Sequence, residues 1–457
     1  MEYRDKKAPS YHKWIKRLIK DGKQEALHEL LMDLDEVEIA NSLMQLKLKY
    51  QVDVIKALDR EKTADVMSQL QDHEPIIESI IEKLNTEELG DIVEEMDKDD
   101  AADMMALIDD EMVQEILDEL PAEDREELQT LLHFDEESAG GIMDPDVVHV
   151  LKDQNAGDAT KRIKEYIKAK EIDEFYVIYV VDEHEHLIGR INLSQLFLAD
   201  DQEEIRNIMD PDVIAVSTDM DQEKVASLAK EYDLVTIPVI DDHLRLVGRI
   251  TIDDIIDVMQ EEFEEDLAHV AGTGDEDVLD TSLIKASKQR LPWLLLGLVG
   301  GAMAAFVMRG YESSLARLPQ VAYFIPVIAA LGGNIAIQSS SLVVRGLATG
   351  ELHTKQLMFR AWKEIRIGMI NGIICAILLL FIAWWITDKW LMGLTTAGAL
   401  LVVVFLAAFV GTVVPMLLKR MDMDPALATG PFITTTNDIL GIVIYLAITI
   451  SVYNTQM

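Results

Sequence analysis

Residues 430–446 read GPFITTTNDILGIVIYL, and residues 326–341 read PVIAALGGNIAIQSSS. Each lies in an apolar run of the roughly 20 residues needed to cross a bilayer, yet each carries groups that lipid excludes. The first holds Gly430, Pro431, three threonines, Asn437 and Asp438; the second holds Pro326, Gly332, Gly333, Asn334, Gln338 and three serines. A carboxylate at mid-span costs about 2.5–3.5 kcal/mol on insertion scales, so Asp438 is expected to face a polar pathway. Helix breakers free backbone carbonyls, and lipid tolerates these only where they line a cavity or are buried in protein. Asp438, with Thr434 and Asn334, offers oxygen donors that suit a hard cation such as Mg²⁺ or Ca²⁺. The plainer reading is an acid that hydrogen-bonds between helices.

Outward from these two segments, five apolar stretches are read near 291–309, 320–343, 367–387, 398–418 and 427–452. Five spans put the termini on opposite sides. The short segments on one side carry Lys285, Lys288, Arg290, Arg345, Lys355, Arg360, Lys363, Arg366, Lys419 and Arg420, against Arg309, Arg317 and Lys389 on the other. The basic excess marks the cytosolic side, which predicts a multi-pass protein of the cell membrane with its N-terminal domains in the cytosol and its C-terminus outside. Glycines such as those of LVGGAMAAF, 298–306, are expected to serve close helix packing.

Residues 1–275 carry 72 Asp/Glu against 28 Lys/Arg, a net of −44; residues 276–457 carry 10 against 13, a net of +3. That acidity argues against nucleic acid as a partner. Apolar residues recur throughout the acidic half, so it is expected to fold and to need counter-ions. The one cysteine, Cys375, lies in an apolar run and allows no intrachain disulfide. The N-terminus has basic residues but no continuous apolar core of signal-peptide type.

Two internal repeats organise the acidic half. Blocks of about 12 residues begin at Asp35, Lys47, Asp59, Gln71, Asn85, Asp97, Asp109 and Pro121, each ending on a large apolar residue. They predict a superhelix of short helices, with Asp99 and Asp103 at i, i+4. Like charges so spaced destabilise a helix by a few tenths of a kcal/mol; a divalent cation would relieve the repulsion, although a solvated face is the commoner meaning. Further on, GIMDPDVVHV (141–150) returns as NIMDPDVIAV (207–216), and FYVIYVVDEHEHLIGRINLSQL (175–196) returns as LVTIPVIDDHLRLVGRITIDDI (234–255). These two α/β copies resemble a pair of cystathionine-β-synthase-type (CBS) modules. The adenosine stretch of such modules is kept in the second copy as Gly248, Thr251 and Asp254. The first copy has Asn192 and Gln195 there, which leaves a nucleotide doubtful as a ligand. The stretch IDDIIDVMQEEFEEDLAHVAG, 252–272, predicts an acidic helix leading towards the first span.

The order of parts, with EEFEEDLAHVAG, PVIAALGGNIAIQSSSLVVRGLATGEL and PFITTTNDILGIVIYL as its most specific pieces, resembles the MgtE family of Mg²⁺ channels. The resemblance covers about residues 35–455. It implies a multidomain fold: an all-α superhelical N domain, tandem α/β CBS modules, a connecting helix and a five-helix transmembrane α domain. The expected boundaries are a basic segment at 1–34, the N domain at 35–138 and CBS copies at 139–203 and 204–259. The acidic connecting helix follows at 252–284 and the transmembrane domain at 285–457. The resemblance also implies a homodimer with its pore at the dimer interface, contacts with membrane lipid, and Mg²⁺ as both cargo and regulator. Asp438 is then the pore aspartate, with Asn334 in the matching GGN element. The cytosolic Mg²⁺ ligands are expected at Asp99, Asp103, Glu223, Asp233, Asp254, Asp257, Glu262, Glu265 and Asp266. Phe263 and Glu264 stand where relatives tend to have small or Thr residues, and Gly430 where relatives can be polar.

The expected activity is Mg²⁺ uptake through a channel that high cytosolic Mg²⁺ closes, with no enzymatic chemistry. Moving a two-state gate from 1:99 to 99:1 needs about 5.5 kcal/mol of differential binding, a sum several weak sites can share. The alternatives are a CBS-regulated transporter of Co²⁺, Ni²⁺ or Zn²⁺, and a non-transporting membrane receptor.

Overall fold

The computed structural model describes residues 11–170, 175–271, 283–348, 357–421, 423, 425 and 430–456. The chain divides into two compact units, Met1–Gln260 and Glu261–Met457.

The first unit opens with short helices: α1 (Tyr11–Lys20), α2 (Gln24–Met32), α3 (Glu36–Leu43), α4 (Leu48–Ile55), α5 (Arg60–Ser68), α6 (Glu74–Ile81), α7 (Thr86–Glu95), α8 (Lys98–Ala106), α9 (Asp110–Glu119) and α10 (Ala122–Leu131). The 12-residue repeat is a capping period. Asp35, Lys47, Asp59, Asn85, Asp97, Asp109 and Pro121 are the N-cap residues of α3, α4, α5, α7, α8, α9 and α10. Asp59 accepts from the Lys62 amide at 3.1 Å, while Asn85 and Glu88 cap each other reciprocally at 2.8 and 3.0 Å. Such a cap is worth about 1 kcal/mol, so some of the acid excess is used where the helix dipole favours it. The apolar block ends Leu46, Leu70, Leu84, Met96 and Leu120 are buried. The block that carries two extra residues, at Gln71, starts instead with a 3₁₀ turn over Gln71–His73.

Two like-folded α/β copies follow. The first comprises β1 (His149–Leu151), α11 (Ala156–Lys170), β2 (Val177–Val181), β3 (Leu187–Asn192), α12 (Leu193–Leu198) and α13 (Ile205–Ile208); the second comprises β4 (Val216–Ser217), α14 (Gln222–Tyr232), β5 (Thr236–Ile240) and β6 (Leu246–Thr251). Each sheet pairs its first strand parallel to its second and its second antiparallel to its third. The register matches between copies: Val180 faces Gly189 as Val239 faces Gly248, each with an irregularity just beyond. Glu185 and Leu244, at equivalent turns, share positive φ of 64° and 63°. The first copy has its own core around Val150, Ile178, Val180 and Ile191. The core of the second, around Val216, Val239 and Ile250, runs without interruption into that of the helical domain. Backbone bonds seal the junction, Ala139 to the Met220 carbonyl at 2.6 Å and Gly140 to the Thr218 carbonyl at 2.9 Å.

α15 (Ile252–Ala271) leaves the second copy and straddles the two units. The second unit contains α16 (Leu283–Gly310), α17 (Glu312–Arg317), α18 (Ile325–Ala348), α19 (Leu357–Thr387), α20 (Trp390–Arg420) and α21 (Gly430–Gln456). Five apolar segments, 286–310, 319–347, 361–387, 390–420 and 432–455, are long enough to cross a membrane. α18 packs on α20 and α21, α16 on α21, and α19 on α20. In α16, Gly300 meets α21 so closely that a methyl there would collide with Thr435 Cγ2, the close packing expected of LVGGAMAAF. One expectation is corrected: α18 and α21 are not broken. Pro326 and Pro431 each occupy the second position of their helix, where a missing N–H removes no helical bond.

Candidate ion pathway and carboxylate cluster

Within the second unit, Asp438 and Thr434 lie one turn apart on α21, facing α18. A Cβ placed on Gly333 of α18 would stand 3.4 Å from Thr434 Cγ2 and 3.5 Å from Asp438 Oδ1. The GGN element therefore meets the TTTND element through the bare face of a glycine. Asp438 and Thr434 are half-buried; the neighbouring Asn334 and Gln338 are exposed, and Asn437 is buried. Thr434 Oγ1 donates to the Gly430 carbonyl at 2.9 Å, and Asn437 Nδ2 to the Ile433 carbonyl at 3.2 Å. Asn437 thus belongs to its own helix, while Asp438 and Thr434 face Gly333 of α18, and Asn334 and Gln338 lie exposed on that same helix. Gly430 has φ +56°, a left-handed conformation that favours glycine.

The first unit holds a second constellation. Asp99 sits in the first turn of α8 and is buried. Burial raises its pKa well above the carboxylate range, and the charges of Asp254, Asp100, Asp144 and Asp97 raise it further. Asp100 is pushed up to about 6 by burial, even though Gln71 Nε2 donates to it at 2.8 Å. Asp144, from the first MDPD motif, is pushed up to about 7 by burial, against the pull of Arg249. That arginine donates to one Asp144 oxygen from Nε at 3.0 Å and from Nη2 at 2.9 Å. Desolvation by the surrounding protein also raises the half-buried Asp254 and Asp97, the latter despite its exposed surface. Nearby Lys98 is engaged with Asp124 at 3.1 Å. Asp97, Asp99, Asp100, Asp144 and Asp254 thus lie near one another and near one guanidinium, with Asp99 and Asp144 buried, Asp100 and Asp254 half-buried and Asp97 exposed, a balance that favours protons or a cation. Among the described residues no three His, Cys, Asp or Glu side chains converge closely enough to ligate one bare ion. The donors are all carboxylate oxygens, the type that suits a hard cation such as Mg²⁺.

Asp99 and Asp254, both expected from sequence, are brought together here. Asp97, Asp100 and Asp144 were missed; the paired MDPD and Gly-Arg motifs carried the signal for Asp144, since the repeat pairs each aspartate with the other copy's arginine. Asp103 is exposed, one turn beyond Asp99. Glu223 and Asp233 stand at opposite ends of α14, the latter as a left-handed cap with φ 52°. Ten residues of helix separate them by about 15 Å, so one ion cannot bridge them within this chain. Asp257 is exposed on α15; Glu262, Glu265 and Asp266 are half-buried farther along, with Glu265 3.6 Å from His269. In the adenosine-type stretch, Asp254 accepts from the Thr251 amide at 2.8 Å and from its hydroxyl at 2.6 Å. In the first copy, Gln195 caps the Asn192 amide likewise at 3.0 Å. Both stretches thus start a helix.

Comparison with known proteins adds identity to this geometry. Residues 325–448 match the family described as a divalent cation transporter, 34–137 an MgtE intracellular N domain, and 139–201 and 205–261 CBS domains. The magnesium transporter MgtE of Thermus thermophilus is 31% identical over 95% of this chain and 96% of its own length. That of Bacillus subtilis is 28% identical over 94% and 95%. The crystal structure of the cytosolic domain of the Mg²⁺ channel MgtE in complex with ATP, 32% identical, superposes with a TM-score of 0.50 over 53% of this chain and 98% of that one.

Proposed function

This chain belongs to the MgtE family of magnesium transporters, and on that premise we propose that it conducts Mg²⁺ through a pathway gated by Mg²⁺ bound to its own acidic unit. It is a transporter rather than an enzyme. Mg²⁺ passes Asp438, with Thr434 and Asn334 alongside, largely hydrated because it dehydrates reluctantly. The exposed Asn334 and Gln338 at membrane depth support a homodimer in which a second copy covers that face. The basic excess in the short segments supports a cytosolic acidic unit and an outside C-terminus in the cell membrane.

The observation that carries the gate is the cluster of Asp97, Asp99, Asp100, Asp144 and Asp254 beside Arg249, with Asp99 and Asp144 buried. When cytosolic Mg²⁺ is low, these charges repel and loosen the seat of the helical domain on the second CBS copy. When Mg²⁺ is high, hydrated ions hold the seat closed. Asp103, Glu223, Asp233, Asp257, Glu262, Glu265 and Asp266 supply further weak ion contacts in the same reading. α15 starts beside Asp254 and leads along the chain to the first span, so a change at the cluster is passed to the pathway. The relative solved with ATP supports ATP as a second ligand of the CBS pair, where it would compete with Thr251 for Asp254.

Mg²⁺ flux into proteoliposomes, with Mg²⁺ stepped on the cytosolic face, tests this. Flux that shuts off as that Mg²⁺ rises is expected. Constant flux would remove the gate, and selective passage of Co²⁺ or Ni²⁺ over Mg²⁺ would replace the cargo.

A further inference from the structure

α1 places Lys13, Lys16, Arg17 and Lys20 within ten residues, in a half of the chain whose net charge is −44. Its inner face is fixed: Ile15 is fully buried, and Leu18 and Ile19 pack on the helical-domain core. Its outer face exposes Lys13, Arg17 and Lys20 around Trp14, whose indole is 62% exposed. Lys16 lies over the Tyr50 ring of α4 at 5.7 Å. Lys47, one turn before Tyr50, is exposed, as are Lys49 and Lys23, so the basic surface spans two elements. Arg17 approaches Asp21 at 3.8 Å, both solvent-exposed. Among the described residues Lys13, Lys20 and Lys23 make no ion pair, despite the carboxylates that dominate the unit.

A face meant only for solubility has no need of an exposed indole. An exposed tryptophan among lysines and arginines suits a bilayer surface, with the ring at headgroup depth and the cations on anionic lipid. We propose that α1, with Lys23, Lys47 and Lys49, is a docking surface for an anionic phospholipid bilayer. Clusters of 4–8 Lys/Arg of this kind bind acidic leaflets. The acidic remainder of the unit is repelled by the same leaflet, so charge selects this face. The chain carries its own membrane spans, which hold the surface at high effective concentration near lipid; a weak contact suffices. The proposal takes from the preceding reading only that this half faces the cytosolic leaflet.

The full chain, reconstituted in nanodiscs of phosphatidylcholine alone or with roughly one third phosphatidylglycerol, is treated with a water-soluble amine-acylating reagent, and labelling is read by mass spectrometry. Lys13 and Lys20 are expected to react about fivefold more slowly in the anionic discs. High salt should abolish the difference, because screening shortens to a few ångströms. Lys83, exposed elsewhere in the domain, should not change. A Lys13→Glu/Arg17→Glu variant should lose the protection of Lys20. Equal labelling in both discs would overturn the proposal. So would equal protection in both, which would show the face covered by protein. No outcome depends on flux, so the gate reading stands or falls separately.

Discussion

Arg249 of the second CBS copy grips a single oxygen of Asp144 in the first, at 3.0 and 2.9 Å, with both side chains nearly buried. The repeat-equivalent pair, Arg190 and Asp210, stands 3.6 Å apart with both side chains partly exposed. Internal symmetry made both pairs, and the helical domain covers only one.

Arg249→Met should therefore cost far more than Arg190→Met. Removing one partner of a buried pair costs roughly 3–5 kcal/mol, whereas an exposed pair is worth about 0–1 kcal/mol. Denaturant melts of the Mg²⁺-free protein measure the difference. Equal losses would mean that the acidic cluster does not depend on its guanidinium.

Without divalent ions, stability should fall as pH rises. Asp144 and Asp100 titrate near 7 and 6 in the folded chain, raised from 3.8 by burial. A carboxylate raised on folding favours the folded state while protonated, so that contribution is complete below about pH 4 and is lost through pH 6–7. Thermal melts in chelator at pH 5 and pH 8 should differ accordingly, and added Mg²⁺ should narrow the gap. A higher melting temperature at pH 8 would contradict the cluster's electrostatics.

Above the raised pKa of Asp99, Asp99→Asn keeps the shape of the side chain and removes one charge. The Mg²⁺-free protein should gain about 1–3 kcal/mol, since a buried like-charge repulsion is relieved. The further gain on adding Mg²⁺ should shrink. Were the variant less stable and its Mg²⁺ response intact, Asp99 would be a structural acid and no part of the sensor.

In the pathway, Asp438→Asn should lower Mg²⁺ flux at least about tenfold in protein that remains folded, because the charge that offsets the membrane's cost to a cation is gone. Gly333→Ala adds a methyl 3.5 Å from Asp438 Oδ1, an ordinary contact. It should reduce flux while changing the melting temperature little. Normal transport by Asp438→Asn would dismiss the pathway assignment.

The repeats and the span lengths were legible because each rests on a local rule: a cap every 12 residues, a doubled MDPD, a run long enough for lipid. Thr434, Asp438 and the GGN element could be paired in sequence only through their incongruity with lipid; the Gly333 contact is a matter of helix packing. Asp97, Asp100 and Asp144 were not legible as a group. Asp97 reads as one more N-cap and Asp144 as half of a repeat, and only the fold, by bringing the α8 aspartates near Arg249 and Asp254, turns them into a shared electrostatic problem. Proline misled for the opposite reason: Pro326 and Pro431 look like breaks in an apolar run, but each starts a helix.

The core that the helical domain shares with the second CBS copy also orders how the chain can be made. The partner surface of Ala139 and Gly140 includes Thr218 and Met220, and the whole first copy is synthesised between them. At about 5–20 residues per second, the helical domain waits on the order of several seconds on the ribosome with that flank uncovered. The first copy, with a core of its own, can close during that interval. Slowed translation across it would prolong the exposure of that flank.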